Sequence, residues 1–379
     1  MRFSLLLLAL GILAFGCTSN QQKEDSAPSL KEVFKDDFYI GAAVNPSFFT
    51  GRNKDGIELV KKHFNALTAE NSMKWERLHP EPGVYDFELA DAFIEFAEEN
   101  DMYTIGHTLV WHSQTPDWVF RDEDGNLLDR EALLDRMRDH IQTVVGRYKG
   151  RVDGWDVVNE AISDSAGTMR ESLWYQIIGE DYVAKAFEFA HEADPEAELY
   201  YNDYSLNDAP KREGVYELIK SVQEQGARVT GIGMQGHYGL DYATEEQLEN
   251  SITRFSELGV VAITELDMDV LPSASDYRGA DVGAMSDAEL TDALNPYTEG
   301  LPDSVAQQQA DQYAMFFRIF LKHSDNINRV TFWGVTDAGS WKNNWPIPGR
   351  TNYPLILDRE GKPKPAFDAI VNEKQKQNN

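Results

Sequence analysis

The chain has 379 residues, 42% of them hydrophobic, enough to build a large core. Asp plus Glu number 64 against 35 Lys plus Arg, a formal net charge of −29. That balance argues against nucleic acid or an anionic membrane face as a partner and suits a neutral or weakly charged substrate.

The first residues read as a targeting segment. Met1 and Arg2 precede an apolar run over 5–16 built from Leu, Ala, Ile, Phe and Gly. The run is too short for a spanning helix and suits a signal-peptide core. It ends at Cys17, the single cysteine, so the sequence offers no disulfide and no cysteine metal site. Ala14-Phe15-Gly16-Cys17 is similar to a bacterial lipobox, which would make residues 1–17 a signal peptide and Cys17 a lipidation site. Residues 18–29 (TSNQQKEDSAPS) are polar and read as a tether, leaving 30–379 as one domain. The expected location is outside the cytoplasm of a bacterial cell, periplasmic or at the cell surface, with the membrane met only through the lipid.

Short apolar or β-branched runs then alternate with helical patterns. The strand-like runs are 38–45 (FYIGAAVN), 64–70 (FNALTAE), 103–111 (YTIGHTLVW), 152–160 (VDGWDVVNE), 199–204, 231–237, 260–267 and 330–337 (VTFWGVTD). Helical periodicity covers 87–100, 130–148, 173–193, 211–225, 245–258 and 304–323, with shorter helices at 57–62 and 366–373. Eight such repeats predict a single-domain α/β fold, a closed (β/α)8 barrel. An open doubly wound sheet is the alternative, but it usually carries a Gly-rich turn after its first strand, and none follows here.

Each run starts apolar and ends polar or aromatic. The ends carry Asn45, Glu70 with Asn71, His107 with Trp111, Asn159 with Glu160, Asn202 with Asp203, Gln235 with His237, Glu265 with Asp267, and Trp333 with Asp337. In a barrel these are the C-terminal strand ends, where active sites form. Glu160 and Glu265 end the fourth and seventh strands and would face each other across the mouth. Two carboxyls so placed can flank one glycosidic bond, ~5–5.5 Å apart for a retaining reaction and ~6.5–9.5 Å for an inverting one. One must hold a proton for the leaving oxygen while the other stays ionised. His237, its ring oriented by Asp267 behind it, is placed to keep Glu265 anionic.

WDVVNEA at 155–161 and ITELD at 263–267 resemble the two signature segments of glycoside hydrolase family 10, the barrel xylanases. The likeness continues through AENSMKWE (69–76), GHTLVWHSQTPDW (106–118), YYNDYSLN (200–207), GMQGHY (233–238) and FWGVTDAGSW (332–341), in the family's order. The resemblance implies a retaining endo-β-1,4-xylanase with Glu160 as acid/base and Glu265 as nucleophile. It implies that Asn159 holds the sugar 2-hydroxyl. Glu70, Asn71 and Lys74 would contact the sugar one step from the cleavage point. His107, Trp111, Gln114, Gln235 and His237 would surround the sugar being cleaved, with Trp333 and Trp341 as aromatic floor and wall. Such a wall tolerates xylose and hinders the hydroxymethyl group of glucose. Lys74 could instead be a plain ion pair with Glu70, and Trp75, Trp155 and Trp174 are expected in the core.

A β-1,4-glucanase, or a mixed enzyme on the same barrel, is the alternative within enzymes; a lipoprotein that binds oligosaccharide without cutting it is the alternative outside them. Xylan and xylo-oligosaccharides are the expected partners, no cofactor and no metal is implied, and a monomer is expected. The stretch 268–302 is long for a barrel loop, and is expected on the leaving-group side of the cleft.

Overall fold

The computed structural model describes residues 27–164, 166–273, 282 and 288–377; the expected leader, Cys17 and most of the tether lie outside the described residues. Eight parallel strands form the frame: Tyr39–Val44, Ala66–Ala69, Tyr103–Trp111, Gly154–Asn159, Glu198–Asp203, Gly231–Met234, Val260–Asp269 and Ile327–Phe332. Neighbours in sequence pair side by side, and the ring closes where Gly41 lies opposite Thr331. A closed ring excludes the open doubly wound sheet. A three-residue strand, His237–Gly239, runs on past the sixth strand and pairs with the end of the seventh, His237 opposite Asp267.

Helices cover the outside because their apolar residues fall on one stripe. Helix Glu88–Glu99 buries Ala90, Phe93, Ile94 and Ala97, the spacing of a single face. Helix Arg130–Arg147 buries Leu133, Met137, His140, Ile141 and Val144 in the same way. Their starts are capped. The Asp129 side chain accepts from the Ala132 amide at 2.9 Å, and Thr244 and Gln247 close a reciprocal capping box on helix Glu245–Ser256. Trp75, Trp155 and Trp174 are fully buried, as expected of core tryptophans.

Three departures from the sequence reading have local causes. The helix expected over 173–193 is two helices, Leu173–Ile178 and Tyr182–Ala193, split at Gly179, whose φ of 98° is open to glycine. The eighth strand starts three residues earlier than expected, because Asn328 and Arg329 are polar yet belong to it, Arg329 buried over the Tyr200 ring, and it ends at Phe332. Asp337 is therefore no strand end facing the mouth. It lies in a 3-10 turn, fully buried, 3.0 Å from the Lys364 ammonium. Asn45 likewise does local work: its side chain caps the short helix Pro46–Phe49.

The long stretch after the seventh strand is shorter than expected at its start, since that strand continues to Asp269. Its described ends are tied to the segment after the eighth strand. Arg350 donates to the Pro272 carbonyl at 2.7 Å and to the Leu294 carbonyl at 3.1 Å, and Asn352 donates to Asp269 at 2.8 Å. Residues 274–281 and 283–287, the middle of that stretch, lie outside the described residues.

Candidate active site

Parallel strands all deliver their C-terminal ends to one mouth, so side chains far apart in sequence converge there. All thirteen residues assigned to catalysis or sugar contact line one open cavity of about 510 Å³ there, joined by Val282. Asp267 stands behind it, fully buried.

Glu160 follows directly on the fourth strand, in a left-handed turn with φ 58°. For a residue with a Cβ that backbone costs roughly 1–2 kcal/mol. The turn points the carboxyl inward, 3% exposed. Its Oε2 accepts from the Trp111 indole at 2.7 Å and its Oε1 from the Gln235 amide at 2.9 Å. Burial pushes its pKa above the usual carboxylate value and the charge of Asp203 adds to the push, while His112, Gln235 and Trp111 oppose it. Desolvation disfavours the anion, so this carboxyl holds its proton at higher pH than a free one.

Glu265 sits near the end of the seventh strand, equally buried, but among donors and positive charge. Asn202 donates to its Oε1 at 2.7 Å, and His237 Nε2 lies 3.0 Å from its Oε2. The other nitrogen of His237 lies 2.9 Å from Asp267, whose second oxygen accepts from the Trp341 indole at 2.7 Å. Burial alone would lower the pKa of His237. The Asp267 and Glu265 carboxylates outweigh it and carry the ring up to about 9, so both nitrogens donate. Burial also works to raise Glu265, but the His237 bond, the His107 and His237 charges and the Asn202 amide together hold it below the ordinary value. Two buried carboxyls on one cavity are thus driven in opposite directions.

The rest of the lining splits into a polar rim and an aromatic wall. The Lys74 ammonium donates to Gln114 at 2.7 Å and Asn71 at 2.9 Å and lies 4.9 Å from the centre of the Trp111 ring. Its hydrogen bonds therefore go to those amides rather than to Glu70. Burial raises the Glu70 carboxyl, against the pull of Lys74 and a hydrogen bond from Asn45. His107 is held by Asp156 at 2.9 Å. Trp333 meets His107 edge to face at 5.3 Å, and Trp341 lies 5.0 Å from the His237 ring.

Besides Val282, sequence reasoning left out two polar residues that reach the carboxyl pair. Asn202 was visible as a polar strand end. It is not in the lining of this cavity and instead reaches sideways, donating to Glu265 and to Asn159 while its own oxygen accepts from Thr264 at 2.6 Å. Gly233 makes that position possible, since a Cβ there would fall 2.4 Å from the Asn202 oxygen. His112 follows Trp111 directly and brings Nδ1 to 3.9 Å from Glu160. Nothing in the spacing distinguished it from an exposed loop histidine.

Comparison with known proteins gives this geometry a context. Residues 29–373 match the family described as Glycosyl hydrolase family 10. Endo-1,4-beta-xylanase A of Xylanibacter ruminicola is 46% identical over 345 residues, covering 91% of this chain and 93% of that protein. Beta-1,4-xylanase of Dictyoglomus thermophilum is 44% identical, covering 98% of each. Among solved structures, a GH10 endoxylanase retrieved from a sugarcane soil metagenome superposes with a TM-score of 0.88 at 45% identity, covering 91% of this chain and 99% of that one.

Proposed function

This chain belongs to glycosyl hydrolase family 10, and from that premise we propose that it is a retaining endo-β-1,4-xylanase. One observation carries the reading: two buried carboxyls share one cavity, one whose pKa burial raises and one that the His237 imidazolium and its neighbours hold below the ordinary value. The chemistry follows from that division. Glu265 attacks the anomeric carbon while Glu160 gives its proton to the departing glycosidic oxygen. The glycosyl ester on Glu265 is then cut by a water whose proton passes to the Glu160 carboxylate, and the sugar leaves with its β-configuration kept. Asn159 holds the 2-hydroxyl, a contact that strengthens as the ring flattens towards the transition state.

Trp333 and Trp341 favour xylan over cellulose by closing the space that a hydroxymethyl group needs. Such steric discrimination is worth ~1–3 kcal/mol, so cello-oligosaccharides are poor rather than forbidden substrates. Both glutamates stand in full context, which disfavours a binding protein without turnover.

The test is proton NMR of the first sugar released from xylohexaose. A β-anomer appearing before mutarotation, from internal cleavage, supports retention. An initial α-anomer turns Glu265 into a base that activates water, and cutting of cello-oligosaccharides alone overturns the substrate.

The N-terminal sequence supports export and attachment through a lipid on Cys17, with residues 18–29 as a spacer. Cys17→Ser should move the protein from the membrane fraction to the soluble one. An unchanged distribution would remove the anchor. The active unit is a monomer, since one barrel supplies every group used, and a sedimentation mass of one chain is expected.

A further inference from the structure

The turn that carries Glu160 leaves the sheet ladder, and the amides that follow it need partners. The Glu160 amide still pairs with the Asn202 carbonyl at 2.9 Å, as a strand residue would. Ala161 and Ile162 come next, both 2% exposed, and among the described residues neither N–H donates to a backbone carbonyl. A buried N–H left unpaired costs about 1–3 kcal/mol. Both donate to one atom, the Tyr201 hydroxyl, at 3.0 and 3.2 Å.

A phenol has two acceptor positions and one proton. With both acceptor positions filled by amides, the proton must point elsewhere, and it goes to Asp203 Oδ2 at 2.6 Å. The other Asp203 oxygen accepts from the Tyr204 amide at 2.9 Å and pairs with the Lys211 ammonium at 2.9 Å. Tyr201 and Asp203 are fully buried and Lys211 is 1% exposed. From the other side, Arg170 donates to the Glu160 carbonyl at 3.0 Å and to the Tyr204 hydroxyl at 2.8 Å. The peptide units on both sides of the left-handed residue are therefore gripped.

We propose that Tyr201, backed by Asp203 and Lys211, is a positioning residue for the general acid, its hydroxyl holding the turn that aims the Glu160 carboxyl at the leaving oxygen. A buried ion pair is weak evidence of stability, because desolvation offsets most of the attraction. Its placement under this turn is better explained by what the turn carries. Without the hydroxyl, the strained backbone at Glu160 relaxes and its Cβ swings away from Trp111 and Gln235. Tyr201 touches no substrate; it acts through Glu160, and the inference rests on Glu160 being the acid.

The test reads acid catalysis separately from fold. Phenyl β-xylobioside has a poor leaving group that needs the proton, whereas 2,4-dinitrophenyl β-xylobioside has a good one that does not. Tyr201→Phe keeps the ring and removes the hydroxyl. Its kcat/KM, which reports the first chemical step, should fall by ~10-fold or more on the phenyl substrate and stay within ~3-fold on the dinitrophenyl one. A general loosening of the fold would lower both alike, and equal losses, or none, overturn the proposal. Arg170→Lys, on the less buried flank, shortens the grip on the Glu160 carbonyl and should give the same split if Tyr201→Phe does not fold. Glu160→Ala, measured in parallel, separates the two ideas. A split there without one in Tyr201→Phe or Arg170→Lys removes the clamp. No split in any variant removes the acid assignment itself.

Discussion

Replacing His237 by Gln should move the acid limb of the pH profile, because His237 is the cation hydrogen-bonded directly to Glu265. The ring lies 3.0 Å from Glu265 and 2.9 Å from Asp267, and at about 9 its pKa keeps it charged across the neutral range. Gln can still donate to Glu265 but carries no charge. The Gln bond to the carboxylate is still charge-assisted, but the field of the cation is gone, and an opposite charge within ~4–6 Å lowers a carboxyl pKa by ~1–3 units, so the anion loses at least about 1.4 kcal/mol. That is roughly one pKa unit. Asp267 also loses its cation and repels Glu265 further, so one unit is the lower bound. The assay is kcat/KM against pH on an aryl xylobioside with a good leaving group. Some loss at all pH values is expected, since His237 lines the cavity. The diagnostic result is an acid limb shifted upward by about one unit or more. An unmoved limb, whatever the absolute rate, would refute the argument that His237 keeps Glu265 ionised. The same pair sets a stability window. The folded pKa of His237 stands above its ordinary 6.5, so its contribution is complete below 6.5 and is lost as pH rises through about 9. That of Glu265 is depressed, so its contribution is present above 4.5 and is lost as pH falls through its lower folded value.

Glu265→Gln should fold and bind xylan normally and lose nearly all turnover; activity within about tenfold of the native enzyme would refute the nucleophile assignment. Trp341→Ala removes both the wall and a donor to Asp267. The preference for aryl xylobioside over aryl cellobioside should fall by about tenfold or more, and an unchanged ratio would place the discrimination elsewhere. Gly233→Ala puts a Cβ 2.4 Å from the Asn202 oxygen and 2.8 Å from the Thr264 methyl. The overpacking should cost ~1–3 kcal/mol in denaturant unfolding and lower activity as Asn202 is pushed off Glu265; a variant as stable and active as the native enzyme would show that Asn202 moves freely.

The barrel was legible because its strands and helices have different periods and alternate eight times. The cavity was legible because polar residues at strand ends have only one face to reach. What escaped the sequence depends on backbone direction. Periodicity runs unbroken from 173 to 193, and only the positive φ at Gly179 reveals two helices. Asp337 looked like a strand end because the chain stays apolar beyond Phe332. Gly334, with φ 137°, turns the chain away, and Asp337 pairs with Lys364 instead. Asn202 was missed for a related reason: its side chain points along the sheet, and sequence spacing does not say which way an amide faces.

That amide direction decides what Asn159 offers a sugar. The Asn159 oxygen accepts from Asn202 at 2.9 Å and from Gln235 at 3.4 Å. Both of those amides also donate to a glutamate, Asn202 to Glu265 and Gln235 to Glu160. The acceptor end of Asn159 is thus turned inward and filled, and among the described residues nothing accepts from its nitrogen. It can meet a hydroxyl in the cleft only as a donor. A sugar 2-hydroxyl there must accept from Asn159 and is free to direct its own proton to the Glu265 carboxylate. Charge that leaves Glu265 during attack weakens the second of these bonds, while the first survives because the amide is fixed by its oxygen. Asn159→Asp should therefore cost more than a lost hydrogen bond. The new carboxylate cannot donate, and it would add a charge beside both glutamates. A measured loss in kcat/KM no larger than that of Asn159→Ala would refute this orientation.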